Sequence, residues 1–179
     1  MEGRERGVTL ALALAVALAA AAVDLPHVLV GGGLGAVLGW LGATDLRTHR
    51  VPNRVVLPAT GALLAVLAAW SVPSGDPSRL ADAVLGAAGA GLVLLAVAAA
   101  TRGGVGLGDV KVAALAGLWT GWLDPWGPAA MLLAAVVAGG ASALVRRLVR
   151  RTSLREHVAF VPSLALGTVV ATWWTRWGI

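Results

Sequence analysis

Nine acidic residues in a chain of 179 can each be placed, and two of them stand apart. Glu2, Glu5 and Glu156 lie among basic residues and read as their solvated partners. Asp24, Asp76, Asp82 and Asp124 fall in loops or at helix ends on the opposite side. Asp45 and Asp109 each abut a long apolar run on the basic side, 64 positions apart. Two carboxyl groups brought close together in a low-dielectric setting do not both ionise readily, so one keeps its proton while the other stays charged. The charged one can take a proton from water while the neutral one protonates a carbonyl oxygen. That is general acid–base hydrolysis of an amide without a covalent intermediate. Such a pair titrates as a unit, so neither role is assigned to one aspartate.

Other chemistries are poorly supplied. The absence of cysteine excludes disulfides, a cysteine nucleophile and cysteine-ligated zinc. His27, His49 and His157 lie in three different loops, and neither a His-Glu-x-x-His nor a Gly-x-Ser-x-Gly pattern occurs. No metal and no cofactor is therefore expected. A serine–lysine dyad would have to be built on Lys111, the only lysine.

The elements that must position Asp45 and Asp109 follow from composition. The chain is 58% hydrophobic and 13% charged, with a mean hydropathy of +0.83. Soluble domains carry about a quarter charged residues. This much apolar surface suits an all-α polytopic membrane bundle of about seven transmembrane helices. The apolar segments are Val8–Val23, Val28–Thr44, Val55–Val72, Ala83–Ala100, Val110–Leu123, Gly127–Val145 and Ala159–Thr175. Most approach the ~17–25 residues a spanning helix needs, and in lipid only helices or closed barrels satisfy the backbone. No long hydrophilic stretch interrupts them, so residues 1–179 are expected to form a single domain. Val8–Val23 also has features of a secretory signal, with Arg4 and Arg6 ahead of it and Ala19-Ala20-Ala21 near its end. Either way the remaining topology is the same.

Orientation follows from Lys and Arg. With the N-terminus inside, 12 of the 14 basic residues fall on the inner face, and only Arg79 and Arg176 lie outside. The net charge of +5 thus reads as membrane topology rather than nucleic-acid binding. Two spans separate Asp45 from Asp109, and an even number returns the chain to the same face. Outer markers Trp122, Asp124 and Trp126 fix the far end of the fifth span. The 14 residues from Asp109 to Leu123 make roughly 21 Å of helix. Against a hydrocarbon core of about 30 Å, Asp109 sits near the inner boundary or the bilayer thins there. Charge at such depth costs about 2.5–3.5 kcal/mol and marks a functional candidate. The plain alternative for each aspartate is a helix-end acid anchored at the headgroups. Gly103, Gly104, Gly106 and Gly108 precede Asp109; such a run can line a wet cavity and lets another backbone approach. A pocket between the second and fifth segments is inferred.

Gly31, Gly35 and Gly39, at i, i+4 and i+8, form a smooth strip for close helix packing, or reflect the general enrichment of glycine in membrane helices. Trp122, Trp126, Trp173, Trp174 and Trp177 read as an outer aromatic belt. The Arg146–Arg155 cluster reads as topological, with lipid binding the weaker idea. Pro52 and Asn53 shape the start of the third span, proline removing a donor where none is needed. Lys111 either snorkels, holds a substrate carbonyl or tunes the aspartates.

Two local patterns then become specific. Asp45-Leu46-Arg47-Thr48-His49-Arg50-Val51-Pro52-Asn53 and Gly103-Gly104-Val105-Gly106-Leu107-Gly108-Asp109-Val110-Lys111 together resemble the type IV prepilin peptidases, membrane aspartic proteases of the GxGD type. That family shows an Asp six residues before an Ile/Val-Pro-Asp/Asn, and later a Gly-x-Gly-Asp-x-Lys. A third stretch, Phe160-Val161-Pro162-Ser163-Leu164-Ala165-Leu166-Gly167, is similar to the family's last motif segment, with Ser163 where an aromatic is often found. The resemblance covers about residues 30–170. It implies that Asp45 and Asp109 are the catalytic pair, with Gly106, Gly108, Lys111, Pro52 and Asn53 supporting them or the substrate. It implies a substrate too, a prepilin-like protein cut on the cytoplasmic side of the cell membrane just before its hydrophobic N-terminal helix. Membrane lipids are the other expected partner. Long bifunctional members carry an N-terminal region with paired cysteines, linked to methylation of the new N-terminus. With no cysteine here, the expectation is a short, peptidase-only form, as in tight-adherence pilus systems or archaeal preflagellin processing. The competing functions are a small proton or cation transporter using the two aspartates as carriers, and a catalytically inactive pilus-assembly membrane protein.

Overall fold

The computed structural model describes residues 25–101, 105–150 and 159–177, and among them it contains six α-helices and no strand. These are α1 (Leu25–Thr48), α2 (Asn53–Ser74), α3 (Pro77–Ala100), α4 (Leu107–Leu123), α5 (Gly127–Arg150) and α6 (Val161–Trp177). They correspond to six of the seven expected segments. The segment Val8–Val23, Gly103, Gly104 and residues 151–158 lie outside the described residues. Several helices overrun their apolar cores, because a helix keeps its backbone bonds into the interface, where polar side chains are welcome. Thus α1 continues through Asp45 to Thr48, whose hydroxyl donates to the Thr44 carbonyl at 2.9 Å.

Turn chemistry sets the connections. Gly75 takes the left-handed conformation (φ 62°) that ends α2, and its N–H donates to the Val72 carbonyl at 3.3 Å. Asp76 then caps α3, accepting from the backbone and the hydroxyl of Ser78, with Pro77 in the first helical position. Asp76, Asp82 and Asp124 all fall at this end of the bundle, and Asp45 and Asp109 at the other.

Four helical stretches are long and apolar enough to cross a membrane: His27–Thr48, Asn53–Pro73, Pro77–Ala100 and Gly127–Val145. The first is the most buried of the four, whereas α2, α3 and α5 leave most of their residues on the outside, including Leu57, Leu85, Leu92 and Leu133. An aqueous surface would not tolerate that display, and the protein is a multi-pass membrane bundle. Helices α4 and α6 have 17 residues each, about 25 Å of rise, which is short of a ~30 Å hydrocarbon core. For α4 the reason is its position. Eleven of its residues are buried, and it packs against α2, α3, α5 and α6. Its apolar character serves contact with protein rather than lipid.

The most extensive seam joins α3 and α4. A Cβ added to Gly117 would lie 2.5 Å from the Gly86 carbonyl oxygen, and one added to Gly121 would lie 2.6 Å from the Asp82 carbonyl oxygen. The two backbones touch, as small residues permit in membrane bundles. The Gly31, Gly35 and Gly39 strip is buried as well. The tryptophans divide. Trp126, Trp173 and Trp174 are exposed as a belt requires, but Trp122 is only 6% exposed and belongs to the core. It packs against Trp70, which stacks on His27, while the Trp119 indole donates to the Thr172 hydroxyl at 3.3 Å and ties α4 to α6. The central position of α4 turns its tryptophans inward.

Gly117→Val should lower the melting temperature of the detergent-solubilised protein, reflecting an overpacking cost on the order of 1–3 kcal/mol. Gly89→Ala on α3, where an added Cβ meets nothing within 4 Å, should leave it unchanged or slightly higher.

Candidate active site

Asp45 is 5% exposed and Asp109 is 9% exposed. The parity of the intervening helices does bring them to one end of the bundle. They arrive by different local routes. Asp45 lies one turn before the end of α1, where the His49 N–H donates to the Asp45 carbonyl at 2.9 Å and His49 itself adopts a positive φ of 48°. That left-handed residue turns the chain sharply out of α1, a position glycine or asparagine would fill more easily. Asp109 is the third residue of α4. Its Oδ2 accepts from the N–H of Gly106, the residue that precedes the helix, at 3.1 Å. An acid in the first turn is held both by this bond and by the helix dipole.

The other aspartate is held by a third element. The N–H of Val161, first residue of α6, donates to Asp45 Oδ2 at 3.3 Å. The start of α6 lies against α1 at Gly42, three residues before Asp45, where Pro162 packs on the helix; a Cβ there would meet Pro162 Cα at an ordinary 3.6 Å, so the contact does not depend on glycine. One oxygen of each carboxyl group is thus engaged by a backbone N–H. A buried carboxylate needs such donors, since burial without them is costly.

The supporting residues sort by what each touches. Pro52 precedes α2, and its carbonyl accepts from Val55 and Val56 at 3.0 and 3.3 Å, so its missing N–H costs nothing. Lys111 Nζ donates to Asn53 Oδ1 at 2.7 Å, joining the starts of α2 and α4. Gly108 is required for space: a Cβ there would lie 2.7 Å from Val51 Cβ. Gly106 is not. Its φ is −78°, and an added Cβ would meet Asp109 Oδ2 only at an ordinary 3.5 Å; Gly106 contributes its N–H. Arg47, Arg50 and Arg54 are exposed around this end. Two contributors carried no signal of their own in the sequence. Val51 and the Val161 N–H stand inside the motif stretches, but nothing there said that one would seat on Gly108 and the other bind Asp45. Helices α1 and α4 share hardly any direct contact, and α6 bridges them by packing on both. Among the described residues no cluster of His, Cys, Asp and Glu is arranged to hold a metal.

Fold and site together define a polytopic helical membrane protein with a pair of buried aspartates at one end. Residues 33–144 match the type IV leader peptidase family, and the chain belongs to that family. It is similar to the prepilin leader peptidase/N-methyltransferase of Escherichia coli (strain K12), 32% identical over 143 residues, which cover 76% of this chain and 59% of the relative. The protein of the same name from Bacillus subtilis (strain 168) is 34% identical over 132 residues, 72% of this chain and 48% of the relative. That from Burkholderia pseudomallei (strain K96243) is 36% identical over 140 residues, 75% of this chain and 43% of the relative. The chain therefore spans about half the length of these curated relatives. No solved structure matches it.

Gly108→Ala should lower the thermal stability of the purified protein and Gly106→Ala should not. The contrast checks that Val51 presses on one glycine while the other serves through its backbone.

Proposed function

We propose that the protein is a membrane aspartic endopeptidase that removes the leader of prepilin-like substrates, with Asp45 and Asp109 as its catalytic pair. The observation that carries this reading is the burial of two acids, 64 positions apart in the chain, at one end of an apolar bundle. Family membership supports the substrate class, and the names of the relatives point the same way.

The mechanism follows from the site. Each carboxyl group has one oxygen engaged by a backbone N–H, from Val161 or Gly106, which fixes its plane. The pair shares one proton across its remaining oxygens and holds a water. The ionised carboxylate draws a proton from that water as it attacks the scissile carbonyl carbon. The protonated carboxyl group gives its proton to the carbonyl oxygen, and the gem-diol that forms collapses with proton transfer to the leaving nitrogen. No covalent intermediate forms. The substrate is itself an apolar helix preceded by a polar leader, so its scissile bond lies at the headgroup level. The aspartates sit at that level on the cytoplasmic face, the side to which the arginines assign them. A carrier function finds less support. The acids among the described residues all lie near helix ends, with none midway along a helix to continue a proton path.

In a reconstituted assay with a prepilin-like substrate, Asp45→Asn and Asp109→Asn should each reduce leader cleavage by about 100- to 10,000-fold while the protein still inserts in the membrane. Undiminished cleavage by both variants would end this reading. The wild-type pH–rate profile should be bell-shaped, with two apparent constants that belong to the pair. A profile with a single limb between pH 3 and 9 would contradict a shared proton.

A further inference from the structure

The two helices that carry the aspartates barely touch, so something else must set the distance between the carboxyl groups. Helix α6 holds Asp45 through Val161, but Asp109 is on α4, and the segment that follows α1 makes close contacts with the first turn of α4. After the left-handed turn at His49, Val51 lies directly on Gly108, leaving no room for a Cβ. Two residues on, Asn53 accepts a hydrogen bond from Lys111 at 2.7 Å. Gly108 and Lys111 bracket Asp109 in the first turn of α4, so residues 51–53 touch that turn on either side of the carboxyl group, the backbone at Gly108 and the side chain at Lys111. The partner chosen for Lys111 is informative. Asn53 is neutral, so it directs the ammonium group without cancelling its charge, and it stands at the first position of α2, a rigid element that packs along α4.

The geometry points to Asn53 and Lys111 as paired positioning residues that, with Val51 on Gly108, latch the start of α4 to the turn leaving α1 and so set the spacing of Asp45 and Asp109. This rests on the peptidase reading for its consequence in catalysis, but the latch itself is a property of the fold. Lys111 acts here through Asn53, not by holding substrate. A lost latch misplaces one carboxyl group relative to the other, and a displacement of about 1 Å can cost about 100-fold in rate.

Two measurements test it. Asn53→Leu and Lys111→Met should each lower kcat by about 10- to 100-fold with KM unchanged, and the double variant should be no worse than the poorer single one. Asn53→Asp, which still offers an acceptor, should restore most of the rate. A rise in KM at constant kcat would assign Lys111 to substrate binding and overturn the proposal. So would multiplicative losses in the double variant, or a loss confined to Lys111→Met. The second measurement needs no substrate. The chain has no native cysteine, so Leu46→Cys and Leu107→Cys, both exposed and each near an aspartate, accept spin labels without further changes. In lipid nanodiscs the distance distribution should be narrow in the otherwise native chain and should broaden or shift in Asn53→Leu. An unchanged distribution would sink the latch whatever the enzyme assay shows, whereas a changed one with no cleavage by any form would sink only the peptidase reading.

Discussion

A carboxyl group buried in an apolar bundle must find a hydrogen-bond donor. In this protein the donors for two such groups are backbone N–H groups at the starts of helices. Val161 opens α6 and binds Asp45; Gly106 precedes α4 and binds Asp109. Unpaired amides at a helix start are the natural partners for an acid, being donors that the helix itself does not use. Much of the architecture at this end follows from that requirement. Helix α6 must begin beside α1, where Pro162 packs on the turn that holds Gly42, and α4 must follow a residue whose N–H can turn back to Asp109.

The same arrangement explains why α4 differs from its neighbours. A helix delivering an acid into the interior cannot also face lipid along its length. It is short, almost wholly enclosed, and packed by glycine against α3 at Gly86, Gly117 and Gly121. Hydrophobic burial contributes little to helix association inside a bilayer, since lipid is as apolar as leucine. Close backbone contact and shape then bear the load, and the α3–α4 seam supplies both. At the far end the Trp119–Thr172 bond and the Trp70–Trp122 contact brace α4 against α6 and α2.

In this member of the type IV leader peptidase family, both buried aspartates lie within a turn of a helix terminus. The apolar helices suit lipid, while the aspartates are held by the end of α1, the starts of α4 and α6 and the short turn after α1. The glycines of the second motif divide the work. Gly108 yields space to Val51, and Gly106 lends an amide. In the sequence the glycines form one run, and only the packing separates the two roles.

Much was legible from the residues alone. Six apolar runs became the six described helices, because in lipid a continuous apolar stretch has almost no other way to satisfy its backbone. The convergence of Asp45 and Asp109 at one end followed from counting the helices between them, since each crossing reverses the chain. Pro52 at the entry to α2 was readable from its chemistry. What only the tertiary structure decided was which element touches which. Helix α4 proved to be a central helix rather than a lipid-facing span, and that drew Trp122 from the expected belt into the core. The carboxyl group of Asp45 is bound by a residue 116 positions away, and Lys111 by one 58 positions away. Local sequence encodes the periodicity and caps of each helix, but small apolar residues can pack against almost any partner. The neighbour each helix takes is set by the sum of many weak contacts across the whole bundle, which no single stretch of the chain contains.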